Sequence, residues 1–422
     1  MEAFPPIPEW IQMEHQVAQI LTKQEQHGWF FDEPAARELE QTLRREYEET
    51  TKLLRDRHPF VEGSLFTPKR NNRTRGIFEA APFTKLKELN PTSRDHISWI
   101  LQTHYGWTPS SLTNSGKAVI DETVLKEIGS DIALAFLRLL DLTKQLGMIS
   151  EGVNAWQKLC TKYRIHHHCS TATNTFRCSH RKPNLSQVPS DERFRKLFKA
   201  SPNMVMCGAD LSGIELRILS HYLARFDGGR YAKVLINGDI HQENADKIGI
   251  TRSQVKTVTY AFLYGAGNTK IGHSYDKQLS DTEAAKKGKE IRSAYVDAIP
   301  GLKELLEGVH KASERGYVLG LDHRRILVDS RHKSLNYLLQ GSAAIIAKRW
   351  MVLTNDHLQQ MSLRCNQLAF IHDELQFESS PEHVDDLKSL LVLSAAEAGE
   401  YYNLRVPIAA EAQSGLTWAD VH

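Results

Sequence analysis

MVMCGADLSGIELRILSHY, residues 204–222, places a strand, an acid and a helix in immediate succession. Met204 to Cys207 is a short apolar run. Ile214, Ile218, Leu219 and Tyr222 then recur at helical spacing, so a strand ending at Asp210 leads within a few residues into a helix with one buried face. An acid at such a junction is held rigidly at the edge of a sheet. The plainer use of aspartate there is as a helix N-cap.

NQLAFIHDELQFESS, residues 366–380, extends the argument. Leu368 and Phe370 alternate with polar or small neighbours, and Leu375 and Phe377 do the same, which is the mark of a β-hairpin. Its turn region holds His372, Asp373 and Glu374. Aspartate in a surface turn is ordinary, but adjacent carboxylates repel unless a cation sits between them. Asp210 and Asp373 each stand at a strand end, and they converge if those strands pair in one sheet. With a third acid nearby, the pair suits two Mg²⁺ ions about 3.5–4 Å apart, which activate an attacking hydroxyl and stabilise a leaving phosphate oxygen.

TRSQVKTVTYAFLYGAG, residues 251–267, supplies what a triphosphate needs. Arg252, Lys256, Tyr260 and Tyr264 stand four apart, and each such step rotates an α-helix by about 40°, so they share one stripe. Val255, Val258, Phe262 and Leu263 give apolar contacts elsewhere around the helix, and Gly265 and Gly267 stop it. Two cations suit a triphosphate, and the aromatic beside them suits sugar and base. An amphipathic helix with chance spacing is the alternative. His241, in NGDIHQEN, is either a surface-turn residue or a phosphate contact. The segment HHHCSTATNTFRCSH, residues 166–180, offers His166, His167, His168, Cys169, Cys178 and His180, but its spacing fits no closed structural zinc pattern.

The whole chain frames these motifs. Its 422 residues suggest two to four domains or subdomains at ~150 residues each. A composition of 41% hydrophobic and 25% charged residues excludes collagen-like, disordered and disulfide-scaffold classes. No apolar run approaches a membrane span, and the N-terminus lacks a signal-peptide layout. Five cysteines without a C-x-x-C pair read as reduced thiols, which points to a cytoplasmic location. Net charge is only +2, yet residues 161–200 hold nine Lys or Arg against two acids. SLFTPKRNNRTRG, residues 64–76, adds Lys69, Arg70, Arg73 and Arg75 with no acid. Charge concentrated in this way suits a phosphate-tracking groove, and solvated surface segments are the bland reading. Residues 10–57 read as helix broken at His27-Gly28, and 60–82 as a polar, basic loop. Residues 91–159 read as helical patterns, 164–189 as irregular and 239–360 as a long helical region with a turn near 265–280. The tail mixes strands with one helix, and the fold class is α+β.

Taken together the pieces resemble the polymerase domain of family A DNA polymerases, the bacterial DNA polymerase I type, and most of all the replicative enzymes of short-tailed phages. ADLSGIELR, RSQVKTVTYAFLYGAG and IHDELQFE are similar to the family's first palm, fingers-helix and last palm motifs, in the same order. LNYLLQGSAAIIAKRW, NPTSRDHISWILQTHYGW, QEQHGWFFD and the TWADVH ending extend the likeness over nearly the whole chain. The resemblance implies a right-hand fold, with helical thumb and fingers around an antiparallel β palm. Residues 1–165 would be mostly thumb, 166–238 and 346–422 the palm, and 239–345 the fingers. It implies Asp210 and Asp373 as metal ligands with the Leu211 carbonyl, for two Mg²⁺ ions or Mn²⁺ in their place, with Glu374 as a supporting acid. Arg252, Lys256 and His241 would hold the incoming dNTP, Tyr260 would pack on its sugar and base, and Lys256 would also protonate the leaving pyrophosphate. Glu215 would exclude a ribose 2′-hydroxyl. Tyr264 would lie near the template base, Arg177, Asn336 and Gln340 in the minor groove, and His372 at the primer end. Arg324 matches an arginine of the fingers-to-palm connection, and Lys69, Arg70, Arg73 and Arg75 are further DNA-binding candidates.

The chain departs from the family in two places. Phe176 stands where a T-G-R motif has glycine, and His323 stands where a glycine usually precedes the arginine at Arg324. The chain begins at the thumb, so no proofreading exonuclease is expected in it. The 60–82 loop is too short for the thioredoxin-binding insertion of the phage relatives, which makes thioredoxin an unlikely partner. The expected partners are primer-template DNA and dNTPs, with room for a separate exonuclease or processivity factor, and no membrane. Two rivals are a single-subunit RNA polymerase, which Glu215 disfavours, and a catalytically inactive DNA-binding replication module, which the intact acids and cations disfavour. A metal-dependent nuclease would have no use for the 252–264 stripe.

Overall fold

The computed structural model describes residues 6–113, 115–276 and 279–422. They form two compact units, 34–158 and 6–33 together with 159–422.

The larger unit is organised by a four-stranded antiparallel sheet in the order Cys365–Ile371, Glu374–Ser379, Val205–Leu211, Ala410–Gly415. The apolar run at 204–207 opens the central strand, whose Met206, Cys207, Ala209 and Leu211 are buried. The expected hairpin forms, and its register runs from Cys365 opposite Ser379 to Ile371 opposite Glu374. Glu374 therefore opens the second strand, and the turn itself is His372-Asp373. Helix Ile214–Asp227 follows the central strand and buries Ile214, Ile218, Leu219 and Tyr222, the periodic set read from the sequence.

Helix Ser334–Met361 is buried along most of its 28 residues, because its apolar side chains encircle it instead of forming one stripe. Trp350 in this helix donates its Nε1–H to the Leu391 carbonyl of helix Val384–Tyr401 at 2.9 Å. Lys348 is 1% exposed, and its ammonium lies on both oxygens of Glu14 at 2.8 and 2.9 Å. Arg324 reaches the same carboxylate at 2.6 Å and also pairs with Asp322. Glu14 belongs to helix Glu9–His27, so one carboxylate ties this N-terminal helix to two buried cations. Leaving such cations without a partner costs about 3–5 kcal/mol.

Between Ile240 and Ser313 run five helices, Ile240–Ile248, Arg252–Leu263, Asn268–Tyr275, Asp281–Ala298 and Leu302–Ser313. Thr251 and Gln254 close a capping box that sets the start of Arg252–Leu263. Helices Asn268–Tyr275 and Asp281–Ala298 touch backbone to backbone. A Cβ on Gly272 would fall 1.9 Å from the Ala284 carbonyl oxygen, and one on Gly288 would fall 1.8 Å from that of Asn268. The reading of 239–360 as helical missed a hairpin, Tyr317–Leu319 with Arg325–Leu327. Its strands are three residues each, too short to impose a visible period.

The smaller unit packs Leu54, Val61, Leu89, Ile97, Ile100, Leu101, Phe136 and Leu139 into its own core. Helices Arg94–Tyr105, Glu122–Ile128 and Asp131–Leu146 supply most of it. The stretch expected as a 60–82 loop instead begins as a strand, Phe60–Phe66, paired with Phe83–Glu88. Only Val61 of these two strands is buried, so the alternation of apolar and polar residues that marks a half-buried strand never arises. Among the described residues no helix is long and apolar enough to cross a membrane.

Phe176 and His323 both lie in the left-handed region, at φ 61° and 63°. That conformation costs a residue with a Cβ about 1 kcal/mol, which explains why glycine suits these positions. The Phe176 ring recovers part of the cost by covering the Arg324 guanidinium, 4.7 Å from the ring centroid. His323→Gly is expected to raise the melting temperature by roughly 1–2 °C, and Phe176→Gly to give no gain because Arg324 loses its cover. Calorimetry that found His323→Gly less stable than wild type would refute the strain argument.

Candidate active site

The antiparallel register sets Glu374 opposite Asp210, and the Leu211 amide donates to the Asp373 carbonyl at 3.0 Å. Asp210, Asp373 and Glu374 are therefore neighbours at the end of two paired strands and the turn that joins the hairpin, near enough for their charges to act on one another. Asp210 is exposed at the strand end, Asp373 is half-buried and Glu374 is buried. Although Asp210 is open to solvent on one side, the protein packed around its carboxyl desolvates it and raises it to about 7, reinforced by the charges of Asp373 and Glu374. Burial likewise raises Asp373 to about 6, with Glu215 adding to it. Among the described residues neither aspartate has an ion-pair partner. Two crowded carboxylates without a cation form an all-oxygen donor set, and such a set fits hard divalent ions such as Mg²⁺ or Mn²⁺.

Glu374 differs from the aspartates. Its Oε1 accepts from Trp418 Nε1 at 2.7 Å and from Gln376 Nε2 at 2.5 Å, and its Oε2 lies 3.1 Å from His422. Both oxygens are committed, so Glu374 acts on the pair through its charge. Trp418, Gln376 and His422 were not singled out in the sequence. Trp418 and His422 lie in the TWADVH ending, and nothing in that hexapeptide announces a carboxylate 44 positions away.

Glu215 lies in the first turn of helix Ile214–Asp227. Its Oε1 accepts from Arg177 Nη2 at 2.8 Å and from the Tyr264 hydroxyl at 3.1 Å. Three expected site residues thus form one network. His372 joins them electrostatically, its pKa lowered first by burial and then by Arg177.

Helix Arg252–Leu263 carries Arg252, Lys256 and Tyr260, but it ends one residue before Tyr264, which caps it instead of continuing the stripe. Arg252 and Lys256 are exposed, and Tyr260 is half-buried. Burial raises the Tyr260 hydroxyl, with the charges of Glu215 and Asp373 adding to it. Arg252 Nε donates to Asp239 Oδ2 at 2.7 Å, while Asp239 Oδ1 caps helix Ile240–Ile248 through the His241 and Gln242 amides. Asp239 was overlooked, although an N-cap aspartate two residues before His241 is legible in NGDIHQEN. His241 is 9% exposed, its ring centroid stands 6.3 Å from that of Tyr260, and burial lowers its pKa.

Other expected DNA contacts are engaged within the protein. Asn336 donates to the Leu263 carbonyl at 2.6 Å and is buried. Arg324 is 5% exposed, held by Glu14 and Asp322. Gln340 is half-buried, and Leu211 is buried one residue beyond Asp210. Lys69, Arg70, Arg73 and Arg75 are exposed on the smaller unit.

The family model described as DNA polymerase family A matches residues 68–420. The DNA-directed DNA polymerase of Enterobacteria phage T3 is 31% identical, the match covering 98% of this chain and 70% of that one. That of Escherichia phage T7 is 30% identical with the same coverage. A solved structure, the POL domain of Pol1 from M. smegmatis in complex with DNA primer-template and dNTP, superposes with a TM-score of 0.78 at 22% identity. The superposition covers 97% of this chain and 70% of that one, and it shows that the fold is shared.

The raised carboxyls have a consequence for stability. Between the ordinary 3.8 and the raised values of about 7 and about 6, the folded chain retains protons that the unfolded chain has lost. Without divalent metal, stability therefore falls as pH rises through that window and stays low above it. Asp373→Asn is expected to raise the melting temperature by roughly 1–3 °C in chelator at pH 8, and Asp210→Asn to raise it by less, because solvent screens the exposed Asp210 carboxylate. The gain should shrink at pH 5. Variants that melt at or below wild type at pH 8 would show that the acids are not in conflict.

Proposed function

The chain belongs to DNA polymerase family A and is a DNA-directed DNA polymerase, and from that premise we propose how its residues carry the reaction. The reading rests above all on the convergence of Asp210 and Asp373 across paired strands. The partners are primer-template DNA and dNTPs, the ligands of the M. smegmatis domain. The primer 3′-hydroxyl attacks the α-phosphate of the dNTP in line, and pyrophosphate leaves. Asp210 and Asp373, with the Leu211 carbonyl, would hold two divalent ions, Mg²⁺ by the hardness of the donors. When bound, the ions lower the pKa of the attacking hydroxyl and neutralise charge on the phosphates.

Everything else falls to the side chains. Arg252 and Lys256 grip the triphosphate, and Asp239 orients Arg252 for the task. Burial keeps His241 neutral, so it contacts phosphate as a hydrogen-bond donor. Lys256 also gives a proton to the departing pyrophosphate. Tyr260 packs on the sugar and base. Glu215, braced by Arg177 and Tyr264, stands where a 2′-hydroxyl would enter. Glu374 adds negative charge behind the aspartates, and His372 and Arg177 face the primer end. Most of the rate comes from positioning and electrostatics.

In this reading residues 1–165 serve mainly as thumb, 239–345 as fingers, and 166–238 with 346–422 as palm. Phage genome replication in a host cytoplasm is the setting that fits the phage relatives, with a separate exonuclease or processivity factor as a further partner.

Primer extension tests the reading. Wild type with Mg²⁺ and dNTPs is expected to extend a DNA primer, and Asp373→Ala, shown folded by circular dichroism, to lose about 10³-fold or more. Full activity in that variant would overturn the metal assignment. Glu215→Ala is expected to relax the preference for dNTPs over rNTPs by at least about tenfold. Unchanged sugar selectivity and rate in that variant would remove Glu215 from the role.

A further inference from the structure

Strands His168–Ser170 and Ser179–Arg181 form a hairpin in which Cys169 lies directly opposite His180. His167 precedes Cys169 by two positions, so it projects on the same side as Cys169. Their ligand atoms all lie within 4.8 Å of one another, the one such set of three His, Cys or carboxylate side chains among the described residues. Cys169 Sγ stands 3.3 Å from His180 Nδ1. Zinc bonded to sulfur and nitrogen holds such donors about 3.6 Å apart, so this pair already stands near ligand spacing and a modest adjustment brings the third donor to it.

The surroundings also favour a cation. From helix Glu9–His27, Gln24 Nε2 donates to His167 Nε2 at 3.1 Å and to Cys169 Sγ at 3.6 Å. Amide hydrogens thus occupy the point at which both acceptors aim. His180 turns Nδ1 to Cys169, and His167 turns Nε2 to Gln24, which also reaches Cys169. Burial keeps both imidazoles neutral, the form that binds metal.

We propose that His167, Cys169 and His180 form a binding site for a zinc-class divalent cation, separate from the Asp210–Asp373 pair. Two imidazoles and a thiolate are soft enough to prefer Zn²⁺ or Co²⁺ and to reject Mg²⁺. On binding, the Cys169 S–H bond breaks, its proton passes to solvent, and the thiolate binds the ion. The fourth position falls to water, because the Gln24 amide oxygen is held by Gln367 Nε2 at 2.8 Å. The ion would fasten the two strands to each other, and the chain between those strands carries Arg177. The linear spacing concealed the set because its members are shared between two paired strands. The site stands independently of the polymerase reading, and its occupancy is measured without catalysis.

The test uses the full chain, stripped with chelator and titrated with Co²⁺ in excess Mg²⁺. One Co²⁺ per chain is expected, with a thiolate-to-cobalt charge-transfer band that Zn²⁺ abolishes. Cys169→Ser should lose the band, and His180→Ala should weaken Co²⁺ binding by more than about 100-fold. Cys160→Ser and the double variant His166→Ala/His168→Ala should retain both. Folded wild type that binds no Co²⁺ would overturn the proposal. So would a band that survives Cys169→Ser, or one lost with His166 and His168, which would locate binding in the surface tract. If Cys169→Ser does not fold, alkylation of wild type decides. Zn²⁺ should slow modification of Cys169 at least tenfold and leave Cys160 unaffected, and equal rates would refute the site.

Discussion

The pairing of Val205–Leu211 with Glu374–Ser379 governs everything else at the site. In antiparallel register it sets Asp210 against Glu374 and joins the Leu211 amide to the Asp373 carbonyl. A slip of one residue would turn every side chain of a strand to the other face. That slip is blocked because both strands are buried on the core side, and because Gly208 leaves no room. A Cβ there would meet Gln376 Nε2 at 2.5 Å and the Val421 carbonyl oxygen at 2.7 Å. The acids converge because the sheet admits one register.

Convergence has an electrostatic cost. Asp210 and Asp373 are both lifted well above the ordinary carboxylate range, which is the state of a site built to receive positive charge. Other buried or half-buried carboxylates of the larger unit are neutralised locally. Glu374 is clamped by Trp418 and Gln376 and stands beside His422, Glu215 is paired with Arg177, and Glu14 serves two buried cations. Within the site the two aspartates are left without an ion-pair partner among the described residues, while Arg252 is held by Asp239 and Lys256 remains exposed.

The segment 166–181 combines two unusual features. Phe176 takes a left-handed conformation and covers Arg324, and a His-Cys-His set crosses the hairpin that flanks it. Both bear on Arg177, whose guanidinium reaches Glu215. This loop is held by packing and polar contacts where a glycine would have relaxed it.

Much of this was legible from residues alone. The strand ending at Asp210, the hairpin turning at Asp373 and the helix bearing Arg252, Lys256 and Tyr260 all announced themselves, because periodicity and turn chemistry are local. The exposed Phe60–Phe66 strand and the short Tyr317–Leu319 hairpin did not, since burial on one face is what writes a period into a strand and theirs is slight. Sequence also could not separate residues that face a ligand from those spent inside. Arg324 and Asn336 match a DNA-contact pattern, yet they are held by Glu14 and by the Leu263 carbonyl. Nor could it reveal that Trp418 and Gln376 hold Glu374, or that Cys169 faces His180. Those partners are far apart in the chain or across a hairpin, and only the folded backbone brings them within the few ångströms over which hydrogen bonds and charges act. The sequence by itself determined which chemical groups exist and which local elements carry them, because propensity and period act over a few residues. The tertiary structure alone decided which of those groups meet.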